Sequence, residues 1–130
     1  MAGTPSFVST PRLGIANVSS GNTNRDGSGT VTSVLTGVSA GTKVTEVVAQ
    51  AAVTTTAGMV RLFLSTDSGS TWKLFDELPI AAATASASVA ATRVAKTYTN
   101  LILKDASTQL GATTHNSESI NIVAHGGDLT

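Results

Sequence analysis

The chain has 130 residues, and its eight basic and eight acidic side chains cancel, so no net field favours nucleic acid or an anionic membrane surface. It contains no cysteine, which excludes disulfides, thiolate zinc sites and cysteine nucleophiles. This length predicts a single domain. Charged residues make up 12% and aromatic residues 4% of the sequence, whereas Thr, Ser, Ala, Val and Gly dominate it. Such a composition favours stacked strands over helices and predicts an all-β domain.

The first third of the chain alternates predicted strands with turn-forming segments. Residues 1–11 contain Pro5 and Pro11 and show no hydrophobic period, which predicts an extended arm before a sandwich domain at 12–130. Residues 19–29 combine Asn and Asp with three glycines, which predicts a long loop. Strands are predicted at 12–18, 30–36 and 43–53.

The middle of the chain predicts two strands joined by a tight turn. A two-residue period gives each strand one apolar face, formed by Val60, Leu62 and Leu64 on the fourth strand and by Trp72, Leu74 and Leu78 on the fifth. Pro79 is predicted to end the fifth strand, because proline offers no N–H group to a ladder.

The last third contains an ambiguous segment at 80–95. Its alanines favour a helix, but its Ser and Thr residues weaken that interpretation, and we predict a connection followed by a strand at 88–95. Further strands are predicted at 101–104, 109–115 and 119–125. Eight or nine strands with uneven loops indicate a two-sheet antiparallel sandwich of the jelly-roll type rather than an up-and-down barrel.

The turn between the fourth and fifth strands reads S-T-D-S-G-S-T-W at 65–72 and resembles the Asp box of sialidases. In such a turn the carboxylate accepts backbone N–H bonds, glycine tolerates positive φ, and the tryptophan packs beneath the hairpin. We interpret the motif as a structural turn formed by Ser65, Asp67, Gly69, Thr71 and Trp72. The resemblance implies that these turns lie away from the catalytic pocket in sialidases. A propeller also needs several blades of about 40 to 50 residues, and the motif occurs once here, so we predict no enzyme activity.

Two histidines and several carboxylates are the remaining candidates for chemistry. His115 and His125 lie near the ends of two predicted neighbouring strands, but a metal site needs three or four ligands, so no metal or other cofactor is predicted. A glycosidase would need a pair of carboxyl groups about 5 to 10 Å apart. We interpret the carboxylates as solvated or turn-forming groups; they include Asp67, Asp76, Glu77, Asp105 and Glu118.

Several segments spread over nearly the whole chain resemble small virion structural proteins of tailed bacteriophages. They are R-L-G-I-A-N-V (12–18), N-T-N-R-D-G-S-G-T (22–30), A-G-M-V-R-L-F-L (57–64), D-E-L-P-I (76–80) and T-H-N-S-E-S-I-N-I-V-A-H-G-G-D-L (114–129). Among such proteins the resemblance is to the jelly-roll cement, or decoration, proteins that bind the outside of the phage head. It implies contact with the major capsid protein and a location on the capsid surface of the virion.

The predicted arm and surface agree with a decoration role. The arm at 1–11 would order on contact with a partner, and its candidate contact residues are Pro5, Phe7, Val8 and Pro11. Low charge and exposed sheet edges predict a homo-oligomer, either a trimer or a dimer. With no targeting segment and no apolar run of about 18 residues, the chain is expected to be soluble and made in the host cytoplasm. The alternative is a tail or fibre module that binds host surface carbohydrate.

Overall fold

The computed structural model describes residues 9–129, and within them the regular elements are strands. There are eight, in chain order β1 Thr10–Val18, β2 Thr32–Thr36, β3 Thr42–Ala51, β4 Gly58–Ser65, β5 Lys73–Ile80, β6 Arg93–Leu103, β7 Gln109–Thr114 and β8 Ile120–Asp128. The predicted all-β class is therefore confirmed.

The strands form two antiparallel sheets of four that pack face to face. Sheet A has the order β1-β8-β3-β6, and sheet B has the order β2-β7-β4-β5. The pairs β1–β8 and β3–β6 lie in one sheet, and the pairs β2–β7 and β4–β5 in the other. These four pairs correspond to one long antiparallel hairpin that is rolled into two layers, which is the topology of a jelly roll. The predicted jelly-roll sandwich is therefore confirmed.

The core lies between the sheets, because each strand turns alternate side chains inward. On β8 the side chains of Ile120, Ile122 and Ala124 are buried, while Asn121 and His125 are exposed. The predicted alternation on β4 is also present, with Val60 and Leu62 fully buried in the core and Leu64 packed against it.

Both prolines near the strand ends lie inside strands. Pro11 pairs with Gly127 in β1, so the strand begins two residues before the predicted boundary and Pro11 is not part of an arm. Pro79 pairs with Met59 in β5, and the prediction that it ends the strand is wrong. β1 and β5 are both edge strands. A proline there is tolerated when its nitrogen faces away from the neighbouring strand. Pro5, Phe7 and Val8 lie outside the described residues.

The two strands predicted at 88–95 and 101–104 are replaced by the single strand β6, which pairs with β3 at 93–97 and 101–103. Residues 81–92 form an irregular connection instead. Its start is held by hydroxyl groups, since Thr55 Oγ1 and Thr92 Oγ1 donate to the Ala81 carbonyl at 2.7 and 2.8 Å. A backbone carbonyl that accepts from side-chain hydroxyl groups in this way is not paired with a neighbouring strand, so the strand does not continue.

Candidate functional site

The Asp67 carboxylate is bound within its own turn. Oδ1 accepts hydrogen bonds from Ser65 Oγ at 2.8 Å and from the Thr71 N–H at 2.9 Å, and Oδ2 accepts from Thr71 Oγ1 at 2.6 Å. Gly69 has a φ of 88° and donates its N–H to Ser65 Oγ at 2.8 Å. The bonds from Thr71, and then that from Ser65, lower the pKa of Asp67 to about 2. An ionised carboxylate therefore fixes this hairpin.

Trp72 is 9% exposed, but it packs on the outer face of sheet B rather than in the core between the sheets. A Cβ added to Gly111 would lie 2.7 Å from its ring, so the missing side chain makes room for the indole. Gly111 pairs with Phe63, which is fully buried on the same outer face. The predicted packing of the tryptophan beneath the hairpin thus contributes to a second, smaller apolar cluster.

The predicted loop at 19–29 covers this cluster, and we call the whole connection between β1 and β2, residues 19–31, the cover loop. It joins sheet B where Asn22 donates its N–H to the Thr114 carbonyl at 2.8 Å. Gly27, with a φ of 84°, lies so close to the Trp72 carbonyl that a Cβ would meet that oxygen at 2.1 Å. Inside the loop, Asn22 Nδ2 donates to the carbonyls of Ser28 and Thr30. The loop is therefore built onto the sandwich by its own polar and glycine contacts.

A buried arginine lies on the same outer face. Arg61 is 4% exposed, and its Nε donates to Glu77 Oε2 at 2.9 Å. The same oxygen accepts from Arg25 Nε of the cover loop at 3.1 Å. These bonds, with that from Arg25 the larger, lower the pKa of Glu77. Arg61 Nη1 lies 3.2 Å from His115 Nδ1. Because a guanidinium only donates, Nδ1 is the acceptor and the unprotonated nitrogen in this contact.

A cavity of about 120 Å³ lies beside the cover loop. Thr113 lines it, and its Oγ1 is buried without a hydrogen-bond partner among the described residues. The other lining side chains are neutral, and include Asn17, Ser19, Ser20, Thr30 and Thr32. A cavity of this size is large enough for ordered water, the usual partner of a buried hydroxyl group that no protein group bonds.

The histidines and carboxylates considered as catalytic or metal-binding candidates are dispersed. His115 follows β7 of sheet B, whereas His125 is exposed on β8 of sheet A, so they are not neighbours in one sheet. Asp105 accepts from the Ser107 N–H and Thr108 Oγ1 of its own turn. Glu118 accepts from the N–H of Thr56. Residues 9–129 contain no group of three or more His, Cys, Asp or Glu side chains arranged to hold a metal ion.

Asp76 closes the side of the sandwich between β5 and β6. It accepts from Tyr98 Oη at 2.8 Å and lies 2.8 Å from Lys96 Nζ. Burial and the bond to Asp76 raise the pKa of Tyr98. Beside this group, the rings of Tyr98 and Phe75 lie 5.4 Å apart, and Phe75 is 38% exposed. Sequence periodicity did not pair these residues, because their strands are in different sheets.

Three turns and the start of β1 meet at one end of the sandwich, which we call the Asp-box end. The Ser68 N–H donates to the Ser107 carbonyl, and the Gly37 N–H to the Thr108 carbonyl, both at 2.9 Å. These bonds tie together the connections after β2, β4 and β6. The Ser9 N–H donates to the Asp128 carbonyl at 2.7 Å, so the predicted arm joins the sandwich here.

The outer face of sheet A carries apolar side chains that sequence analysis did not select. Leu13 is 58% and Ile15 64% exposed, whereas Gly14 on the same strand is buried. Gly14 faces β2 so closely that a Cβ would meet the Val34 carbonyl oxygen at 2.4 Å. At 13–15 of β1 the glycine thus faces inward and the two large residues face outward. The motif L-G-I contains this signal, since glycine alone fits so close an approach.

No protein-family model and no curated protein sequence matches this chain. Residues 9–129 contain no helix with the length and apolar character needed to cross a membrane.

Proposed function

We propose that this chain is a structural virion protein of a tailed bacteriophage, namely a decoration protein that binds the outside of the head and stabilises contacts between major capsid subunits. The proposal rests on the resemblance of five segments to such proteins and on the jelly-roll sandwich. A decoration protein needs a rigid scaffold with contact surfaces, and the proposal includes no catalytic role and no cofactor.

The observation that carries the proposal is the use of the Asp-box motif. Both oxygens of the Asp67 carboxylate accept hydrogen bonds from the turn itself. The neighbouring turn is tied to it by the bond from Ser68 to Ser107. The motif that resembles part of an enzyme family therefore stabilises its own turn and the neighbouring one. This structural use of the motif supports a scaffold role.

The attachment element in this proposal is the segment that precedes β1. Phe7 and Val8 form an apolar pair only two residues before Thr10, where β1 begins. Backbone hydrogen bonds join the turns at the Asp-box end, and Ser9 is bonded to β8 there. A capsid contact made by the preceding segment would therefore be coupled directly to the sandwich. Pro5, Phe7 and Val8 are the proposed contacts, by strand addition or by insertion of Phe7 into a groove. Pro11 serves instead as part of the anchoring strand.

The test compares binding of the full chain and of a variant lacking residues 1–8 to undecorated heads. The deletion stops before Ser9, so the bond to Asp128 and the whole of β1 are kept. Burying a Phe side chain contributes about 1.5 to 3 kcal/mol, which corresponds to a loss of roughly 10- to 150-fold in affinity. Phe7→Ala should reproduce most of this loss, while Ser6→Ala should not.

Two results distinguish a failure of the arm as the anchor from a failure of the proposed decoration role. If the truncated chain saturates heads with unchanged affinity, the arm is not the anchor and the contact lies on the sandwich. If the full chain does not bind heads at all, the decoration role is wrong.

A second candidate function is a tail or fibre module that binds host surface carbohydrate. Phe75 favours it, because its exposed ring lies beside Tyr98 and the Asp76 carboxylate. An aromatic face with adjacent polar groups suits the apolar face and hydroxyls of a pyranose. Phe63 and Trp72 do not contribute, since both are buried. Binding of host glycans that is lost in Phe75→Ala would support this function over decoration.

A further inference from the structure

The outer face of sheet A is ordered in rows that cross all four strands. The antiparallel register aligns residues of β1, β8, β3 and β6 side by side. An apolar row contains Ile15, Val123, Val48 and Ala95. A charged row contains Leu13, His125, Glu46 and Thr97, and an amide row on the other side contains Asn17, Asn121, Gln50 and Arg93.

The end of the apolar row that carries Ile15 is exposed to solvent. At the β1 edge, Ile15 of the apolar row and Leu13 of the neighbouring charged row are among the most exposed large apolar residues that the structure describes, whereas Val48 in the apolar row is 6% exposed. Sheet B differs, because the cover loop buries the corresponding outer face over Phe63 and Trp72. A contiguous apolar strip with a polar border is typical of an interaction surface.

We propose that this face binds a second copy of the chain, with the two sheets stacked face to face about a twofold axis. The axis runs parallel to the strands, midway between β8 and β3. This operation reverses each row onto itself, so β1 of one copy lies over β6 of the other and β8 lies over β3. The proposal goes beyond the decoration role and does not depend on it.

The two central positions of each row are complementary to their own reverse. In the apolar row the large Ile15 lies opposite the small Ala95 of the second copy, and Val123 lies opposite its Val48. In the charged row His125 lies opposite Glu46 of the second copy. Within one copy these two residues are already register partners. The dimer therefore has an alternating square of two imidazoles and two carboxylates, in which every neighbour is of the other kind.

The amide row extends this complementarity, since Asn121 lies opposite Gln50 of the second copy and both amides donate and accept. The size of the face is also sufficient. Strands about 4.8 Å apart and nine residues long cover roughly 570 Å² per copy, or about 1,100 Å² in total, near the lower limit of specific interfaces. An isologous contact of this kind closes after two copies and leaves no open end.

Sedimentation of the full chain across the micromolar range tests the proposal. We expect a reversible monomer–dimer equilibrium that Ile15→Glu weakens at least tenfold, because it places two carboxylates in the apolar row by symmetry. Ile15 is exposed in the single chain, so this variant should fold normally. The matched control is Val89→Glu, which makes the same kind of change at an exposed valine of the connection between β5 and β6 and should leave the dimer unchanged.

An exchange of charges tests the register. Glu46→Lys should weaken the dimer by placing a cation opposite His125, and combining it with His125→Glu should restore the alternating square and the affinity. A chain that stays monomeric up to 100 micromolar or so, a trimer, or a dimer that tolerates Ile15→Glu would each overturn the proposal. Loss of head binding with an intact dimer would instead contradict only the decoration role.

Discussion

The outer faces of the two sheets differ in what covers them. On sheet B, Phe63 and Trp72 are buried under the cover loop, and Arg61 is buried beside them. On sheet A, Leu13 and Ile15 remain exposed. The same jelly roll therefore protects one outer face with its own chain and leaves the other available. This difference is the reason for proposing that a second copy covers the apolar row of sheet A.

Glycines make the covering of sheet B possible. Gly111 leaves space for the Trp72 ring, and Gly27 lets the cover loop approach the Trp72 backbone. Sheet A places its close-fitting Gly14 on the inner side instead, against Val34. In both sheets a glycine thus lies where another part of the chain packs closely against it.

The largest effect is expected for Trp72→Ala. Removing the ring empties the space above Gly111, and the free energy of unfolding should fall by about 3 to 5 kcal/mol. Denaturant unfolding measures this change, and proteolysis should then cut within the cover loop. Lys73→Ala is the control, since this exposed neighbour should change stability by no more than about 0.5 kcal/mol. A variant with an uncut loop and unchanged stability would show that the cover loop is not held by Trp72.

The two arginines on Glu77 should differ in importance. Arg61→Ala removes a buried guanidinium that bonds Glu77 and His115, and should lower the free energy of unfolding by about 1 to 3 kcal/mol. Arg25→Ala breaks a contact whose arginine side chain is largely exposed, and should cost less than about 1 kcal/mol. Denaturant unfolding measures both changes. If the two variants lose equal free energy of unfolding, the contact of Arg25 in the cover loop, rather than the burial of Arg61, determines the stability of this cluster.

Measuring the free energy of unfolding as a function of pH isolates the contribution of the Asp67 carboxylate, which stabilises the turn at the Asp-box end. The pKa of Asp67 is lowered from 3.8 to about 2 in the folded chain, so its ionised form stabilises the fold above about pH 4 and this contribution is lost as the pH falls towards 2. Asp67→Asn should therefore be less stable than the parent at pH 6 and equal to it near pH 2. Thr71→Val removes the shortest bond to the carboxylate and should raise the Asp67 pKa, which carbon-detected NMR titration measures. A stability deficit of Asp67→Asn that does not change with pH would contradict this role of the carboxylate.

The smallest effect on the single chain is expected on sheet A. Leu13→Ser and Ile15→Ser change exposed positions, and each should alter the free energy of unfolding by no more than about 0.5 kcal/mol when measured at a concentration where the chain is monomeric. A loss above about 2 kcal/mol in the monomer would show that this face is packed by the chain itself, and the contrast between the two sheets would disappear.

The strand-level predictions succeeded where the pattern was local. Alternation identified β1, β4 and β8 within a few residues, and the strand number indicated the jelly roll. It did not identify the burial of Arg61, because an outward polar position on a strand is normally solvated and only the cover loop makes it buried. For the same reason, the motif predicts that Trp72 packs beneath the hairpin but not that the cover loop lies against it. The prediction that Pro79 ends its strand is wrong because a proline is tolerated within an edge strand, and the order of strands in a sheet is contained in no local pattern.

The decoration role is tested most directly by separating heads from tails after disruption of virions of a phage that encodes this chain. The account predicts that the chain is recovered with the heads, in a fixed ratio to the major capsid protein, and that heads stripped of it rupture more easily. Recovery with the tails, or absence from both fractions, would contradict the account.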